Sequence, residues 1–99
     1  MISARQITAE LRKLLPQVQP LKTQALLSDN GLLLGYEVTM PKPAAQHIGG
    51  TTNLADMAWL GNYLTRHLGQ DLYVEDVFGT RRRDYSILAH LIIKTGRRP

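Results

Sequence analysis

The apolar positions of the chain change period along its length, and each change marks an element. Ile7, Leu11, Leu14, Leu15 and Val18 recur at the spacing of one helix face, while Arg5, Arg12 and Lys13 occupy the remaining surface. Ser3 and Gln6 stand at capping-box positions, where each side chain satisfies an orphan amide of the first turn, and Ile2 and Ile7 stand at staple positions. Pro16 predicts the end of this helix, because proline lacks the donor and its ring meets the preceding turn.

Between Leu21 and Met40 the period shortens. Asp29-Asn30-Gly31 supplies residues that tolerate the positive φ of a tight reversal, so the segment reads as a hairpin. Its second strand is expected to place Leu32, Leu34, Tyr36, Val38 and Met40 on one face. Its first, Lys22 to Ser28, is shorter and more polar and reads as an edge. Residues 41–52 begin with Pro41-Lys42-Pro43, end on Gly49-Gly50-Thr51-Thr52, show no period and read as a surface loop.

A second helix follows, capped by Thr52 or Asn53, with Asp56 at its positive end and a stripe of Leu54, Met57, Leu60, Leu64 and Leu68 running to Gly69. The last third repeats the hairpin theme, with strands from Leu72 to Phe78 and from Tyr85 to Lys94 around a turn at Gly79-Thr80-Arg81-Arg82. Ile87, Leu88, Ala89, Leu91, Ile92 and Ile93 are apolar on both faces, as in a central strand. Gly96 to Pro99 are expected to fray.

The order helix, hairpin, helix, hairpin predicts an α+β fold of duplicated αββ units. It is read as one domain over 1–99, with a pseudo-repeat of 1–40 and 53–95 joined by the loop 41–52. Right-handed crossovers would make the two most apolar strands central neighbours and the two polar strands edges of a four-stranded antiparallel-type sheet. Both helices would then lie on one face, a permuted ferredoxin-like topology. In element order the chain resembles the αββ-duplicated domains of periplasmic assembly proteins in pilus and type II secretion systems, and no segment of this sequence is expected to serve as the membrane anchor such proteins carry.

Composition narrows the class. A hydrophobic share of 43% and a charged share of 20% suit one packed core. No apolar run reaches the ~18 residues of a membrane helix, and the N-terminus lacks the pattern of a secretory signal. The expectation is a small soluble cytoplasmic protein, or a periplasmic one if the chain is a piece cut from an anchor. With no cysteine there is no disulfide framework, thiolate zinc site or thiol nucleophile.

No motif for catalysis appears. His47, His67 and His90 have no second ligand at metal-binding spacing, and Glu75-Asp76, as neighbours on a strand, are expected to face opposite ways. Ser3, Ser28 and Ser86 lie in no nucleophile context. The reading is therefore no enzyme, no metal and no cofactor. The glycines of 47–53 lead into a helix start, where exposed amides suit an anion, but no lysine stands at P-loop spacing and the segment reads as a linker with an ordinary N-cap.

Two surface features carry functional expectations. On a helical wheel Trp59 and Tyr63 fall opposite the Leu54–Leu68 stripe, so with Arg66 they form a candidate partner-binding face, or else a satellite cluster under the loop. Arg81, Arg82 and Arg83, with Tyr85 for stacking, form a candidate nucleic-acid contact, opposed by the acidic Asp71, Glu75 and Asp76 on the same hairpin. Leu33, Leu88 and Ile92 are candidates for an uncovered sheet face.

The leading expectation is a non-enzymatic protein–protein interaction or assembly module, self-associating as a homodimer through the second helix or the open sheet face. The alternatives are a small nucleic-acid-binding regulator and a phage or mobile-element type of inhibitor that occupies a surface of a larger complex.

Overall fold

The computed structural model describes residues 1–99. Helix α1 spans Ala4–Leu14 and opens on the expected capping box, Ser3 accepting from the Gln6 amide while the Gln6 side chain accepts from the Ser3 amide. It stops short of Pro16, and the Arg12 guanidinium closes its C-terminal end by donating to the carbonyls of Leu15 (3.1 Å) and Val18 (2.7 Å). Val18 packs on the core after the helix has ended.

Strands β1 (Lys22–Leu27) and β2 (Leu33–Pro41) form the first hairpin, with Gly31 at φ 83° in its turn. The expected alternation on β2 holds for Tyr36, Val38 and Met40, all buried. Leu32 and Leu34 are exposed instead, whereas Leu33, expected to face outward, packs against the core. The break lies at Leu34, which has no register partner because Leu26 pairs with Gly35 and Leu27 with Leu33. A Cβ on Gly35 would lie 2.5 Å from the Ile93 carbonyl oxygen, so only glycine lets β2 approach its neighbour there.

The segment 41–52, expected to be a surface loop, contains a short helix α2 (Lys42–His47). Pro43 sits in its first turn, where a missing N–H costs nothing, and Ala44, Ala45 and Ile48 are buried. A six-residue element shows too little periodicity to stand out in a sequence.

Helix α3 (Leu54–Leu68) is capped by Asn53, whose side chain accepts from the amides of Ala55 and Asp56, and it ends on Gly69 in the left-handed conformation. Met57, Leu60, Gly61 and Leu64 form its buried side. Leu54, expected in that stripe, is exposed because the first turn overhangs the core. Gly61 brings the helix close to β3: a Cβ there would lie 3.2 Å from Tyr73 Cα.

Strands β3 (Leu72–Arg81) and β4 (Ile87–Thr95) are joined by a turn over residues 82–86, so Gly79, Thr80 and Arg81 belong to the strand rather than to the turn. Glu75 is the extra residue of a bulge between Val74 and Asp76 and has no register partner, which removes the simple alternation expected of the Glu75-Asp76 pair.

The sheet order is β1-β2-β4-β3 with every pairing antiparallel. The apolar β2 and β4 are central and the polar β1 and β3 are edges, as their composition predicts. A cluster of 19 buried residues joins the inner sides of α1, α2 and α3 to one sheet face. The radius of gyration, 12.8 Å, matches the roughly 13 Å of a compact chain this long. The chain thus forms a compact α+β unit with a four-stranded antiparallel sheet and three helices. None of those helices is long and apolar enough to cross a membrane.

Candidate functional site

The side of α3 away from the core is nearly free of charge. Ala55, Ala58, Trp59 and Asn62 are exposed along it, Tyr63 is half-buried, Asp56 flanks one end and Arg66 the other. Trp59, Tyr63 and His67 are spaced by four residues and form one row. Their rings stack in series, with centroids 5.6 Å apart for Trp59 and Tyr63 and 4.2 Å apart for Tyr63 and His67.

Both ends of the row are held. Gly49, at φ 82°, lies against the Trp59 ring, where a Cβ would come within 3.4 Å of Cε3 and within 2.9 Å of the Asp56 carbonyl oxygen. At the other end His67 Nδ1 lies 3.3 Å from Oε1 of Glu10, an α1 carboxylate only 6% exposed that is also paired to Lys13 Nζ at 3.1 Å. The connection after α2 therefore props Trp59 from one side without covering it: the side chain remains 51% exposed. Of the expected trio, Trp59 and Tyr63 are brought together, while Arg66 stands one turn on as an exposed cation.

The sheet face away from the helices bears a second constellation, absent from the sequence reading. Register places Glu37, Thr39, His90, Phe78 and Thr80 together on that face. His90 Nδ1 lies 3.2 Å from Glu37 Oε2, and its Nε2 lies 2.7 Å from Thr80 Oγ1. A carboxylate only accepts, so Nδ1 carries a proton and donates to Glu37, while Nε2 and the Thr80 hydroxyl are hydrogen-bond partners. The Phe78 ring stacks on the imidazole at 4.9 Å. The cluster links β2, β4 and β3 across the open face, with Leu88 and Ile92 half-buried beside it. No sequence signal ties positions 37, 80 and 90; only strand register does.

The third candidate is the β3–β4 turn. Arg81, Arg82, Arg83 and Tyr85 are all exposed, Tyr85 at 78% and with φ 68°. Asp84 accepts from the Ser86 hydroxyl and amide, and these bonds, helped by nearby Arg82, hold its carboxyl below the usual carboxylate range. Asp76 precedes Arg81 by five strand residues, about 16 Å, beyond a Debye length at physiological salt, whereas Asp84 stands within the turn near Arg82. Arg97 and Arg98 lie beyond the far end of β4, where Arg97 pairs with Asp71 and Arg98 donates to the Val74 carbonyl over the Tyr73 ring. Arg97 and Arg98 thus stand apart from the arginine turn, and residues 96–99 lie exposed outside any regular element.

No family model matches the chain, and neither a curated protein nor a solved structure matches it.

Proposed function

We propose that this chain is a non-enzymatic interaction module that self-associates as a homodimer through the outer face of α3, with Trp59 and Tyr63 as its anchors and Arg66 at its border. The observation that carries the reading is the propped aromatic row: Trp59 is half exposed, yet stacked on Tyr63 and seated against Gly49. A side chain already held in place loses little rotamer freedom on binding, so its apolar area contributes to affinity with a small entropic cost.

A second copy suits this face because Asp56 and Arg66 flank its two ends. Antiparallel packing of two α3 helices about a two-fold axis sets each acid beside the other copy's arginine. The element order and the sheet order support the architectural part of the same reading, a single domain of two αββ units in a permuted ferredoxin-like arrangement. A soluble cytoplasmic setting fits it.

Sedimentation equilibrium of the wild-type chain and of Trp59→Ala tests the proposal. A concentration-dependent dimer in the first and a folded monomer in the second are expected. A wild-type chain that stays monomeric at millimolar concentration would refute self-association.

The nucleic-acid reading of the arginine turn is the second one, favoured by the exposure of Arg81, Arg82, Arg83 and Tyr85 and by the distance to the acids on β3. It predicts binding that weakens steeply with salt and disappears when the three arginines are replaced together.

A further inference from the structure

The helices leave one part of the inner sheet face uncovered. Where β3 and β4 approach the turn, the paired residues are Gly79 and Ala89, too small to fill the space beneath α2 and the Gly50-Thr51-Thr52 connection. The result is a cleft of about 540 Å³, within the ~300–1,000 Å³ range of small-molecule sites. Its apolar lining is Val77, Ile87 and Ala89, and its polar rim includes Lys42, Gln46, Thr52 and Arg81.

The rim is charged in one sense only. Lys42 at the start of α2 and Arg81 at the end of β3 line the cleft from opposite sides of the chain, and no carboxylate lines it. Neither cation takes part in an ion pair. The Asp56 carboxylate, which accepts from the Thr51 hydroxyl at 2.6 Å, is not among the lining residues. The start of α3 contributes nothing, since Asn53 occupies its first amides.

We infer that this cleft binds a small phosphorylated molecule of mononucleotide size. A phosphomonoester carries a charge of about −1.5 to −2 at pH 7, which two uncompensated cations match. The Arg81 guanidinium supplies a planar fork suited to phosphate oxygens, and Lys42 adds a mobile point charge. The apolar floor takes a planar or aliphatic remainder, so inorganic phosphate alone uses only half of the site. The assignment is independent of α3 and of self-association.

The test is a titration of the isotope-labelled full chain by amide NMR with three probes: AMP, inorganic phosphate and adenosine. AMP is expected to give saturable shifts at Gly50, Thr51, Gly79, Arg81 and Ile87, with phosphate at least about tenfold weaker, the loss expected when roughly 1.4 kcal/mol of apolar contact is missing. Adenosine is expected to be weaker than AMP by a similar factor. Lys42→Gln and Arg81→Gln, both at exposed positions, should each weaken AMP about tenfold while leaving the remaining spectrum unchanged.

Adenosine binding as tightly as AMP would overturn the phosphate assignment, and absence of saturable shifts with AMP would overturn the site. If Arg82→Gln with Arg83→Gln abolishes AMP binding and Lys42→Gln does not, the anion sits on the turn and the cleft is refuted.

Discussion

Helices α1 and α3 cover the same sheet face, and their inner sides are equivalent: Ile7 and Leu11 on one, Leu60 and Leu64 on the other, all at 0% exposure. Their outer sides are not. The outer side of α1 carries Arg5, Gln6, Ala9 and Lys13, the usual surface of a solvated amphipathic helix. The outer side of α3 carries Ala55, Ala58, Trp59 and Asn62 and stays uncharged until Arg66. Packing the core explains both inner faces and neither outer one. In the α3 row Tyr63 still packs against the core while Trp59 stays half exposed, and this difference is why binding is proposed for that helix.

The largest expected effects test the equivalence of the inner sides. Leu11→Ala and Leu64→Ala should each lower the unfolding free energy by about 2–5 kcal/mol in urea titration. A cost below about 1 kcal/mol for either would mean that one helix is not part of the same core.

The next effect tests the contrast between the outer sides. Trp59→Ala should weaken self-association by about 2 kcal/mol or more while leaving the monomer within about 1 kcal/mol of wild type. Lys13→Ala on α1 should leave association unchanged. Because dissociation lowers apparent stability by mass action, both melts are compared across protein concentrations. Unfolding of Trp59→Ala at every concentration would make the row a structural feature and remove the contrast.

Smaller effects separate how the two helices are started. Ser3→Ala and Asn53→Ala each remove an N-cap bond and should cost about 1 kcal/mol by thermal or urea unfolding. Helix α1 has a further tie, since the Tyr36 hydroxyl donates to the Ile2 carbonyl at 2.6 Å. Tyr36→Phe should cost about 1 kcal/mol.

Burial raises the Tyr36 pKa above the usual tyrosine range. Its contribution to stability is therefore fully present below the unfolded value near ~10 and is lost as pH rises from there through the raised folded one. Alkaline melting profiles should show this loss in the wild type and not in Tyr36→Phe. An identical alkaline profile in both would detach α1 from that tie.

Much of the architecture was legible because local signals agreed. The Ser3–Gln6 capping box, the Asn53 cap, Gly31 and Gly69 are short-range chemistry that works wherever the segment is placed, and all four stand where the residues predict them. Strand composition also ranked centre and edge correctly, since an apolar-rich strand is stable only with neighbours on both sides.

The misreadings share a different cause. α2 is too short to show a period, the unpaired Leu34 and the Val74/Asp76 bulge shift which side chains face inward, and Leu54 overhangs its own core. The candidate site divides along the same line. The spacing of Trp59, Tyr63 and His67 already places three rings on one helix row, because four residues are close to one turn.

What the sequence could not determine is which groups meet across elements. Gly49 against Trp59, Glu10 beside His67, the chain Glu37–His90–Thr80, and Lys42 and Arg81 on the rim of one cleft each join residues from separate elements. Period and propensity act over a few residues, so the sequence alone decided the elements, their caps and the identity of the central strands. Register, bulges and helix placement are set by the packing of the whole core, so only the tertiary structure decided what surrounds each functional side chain.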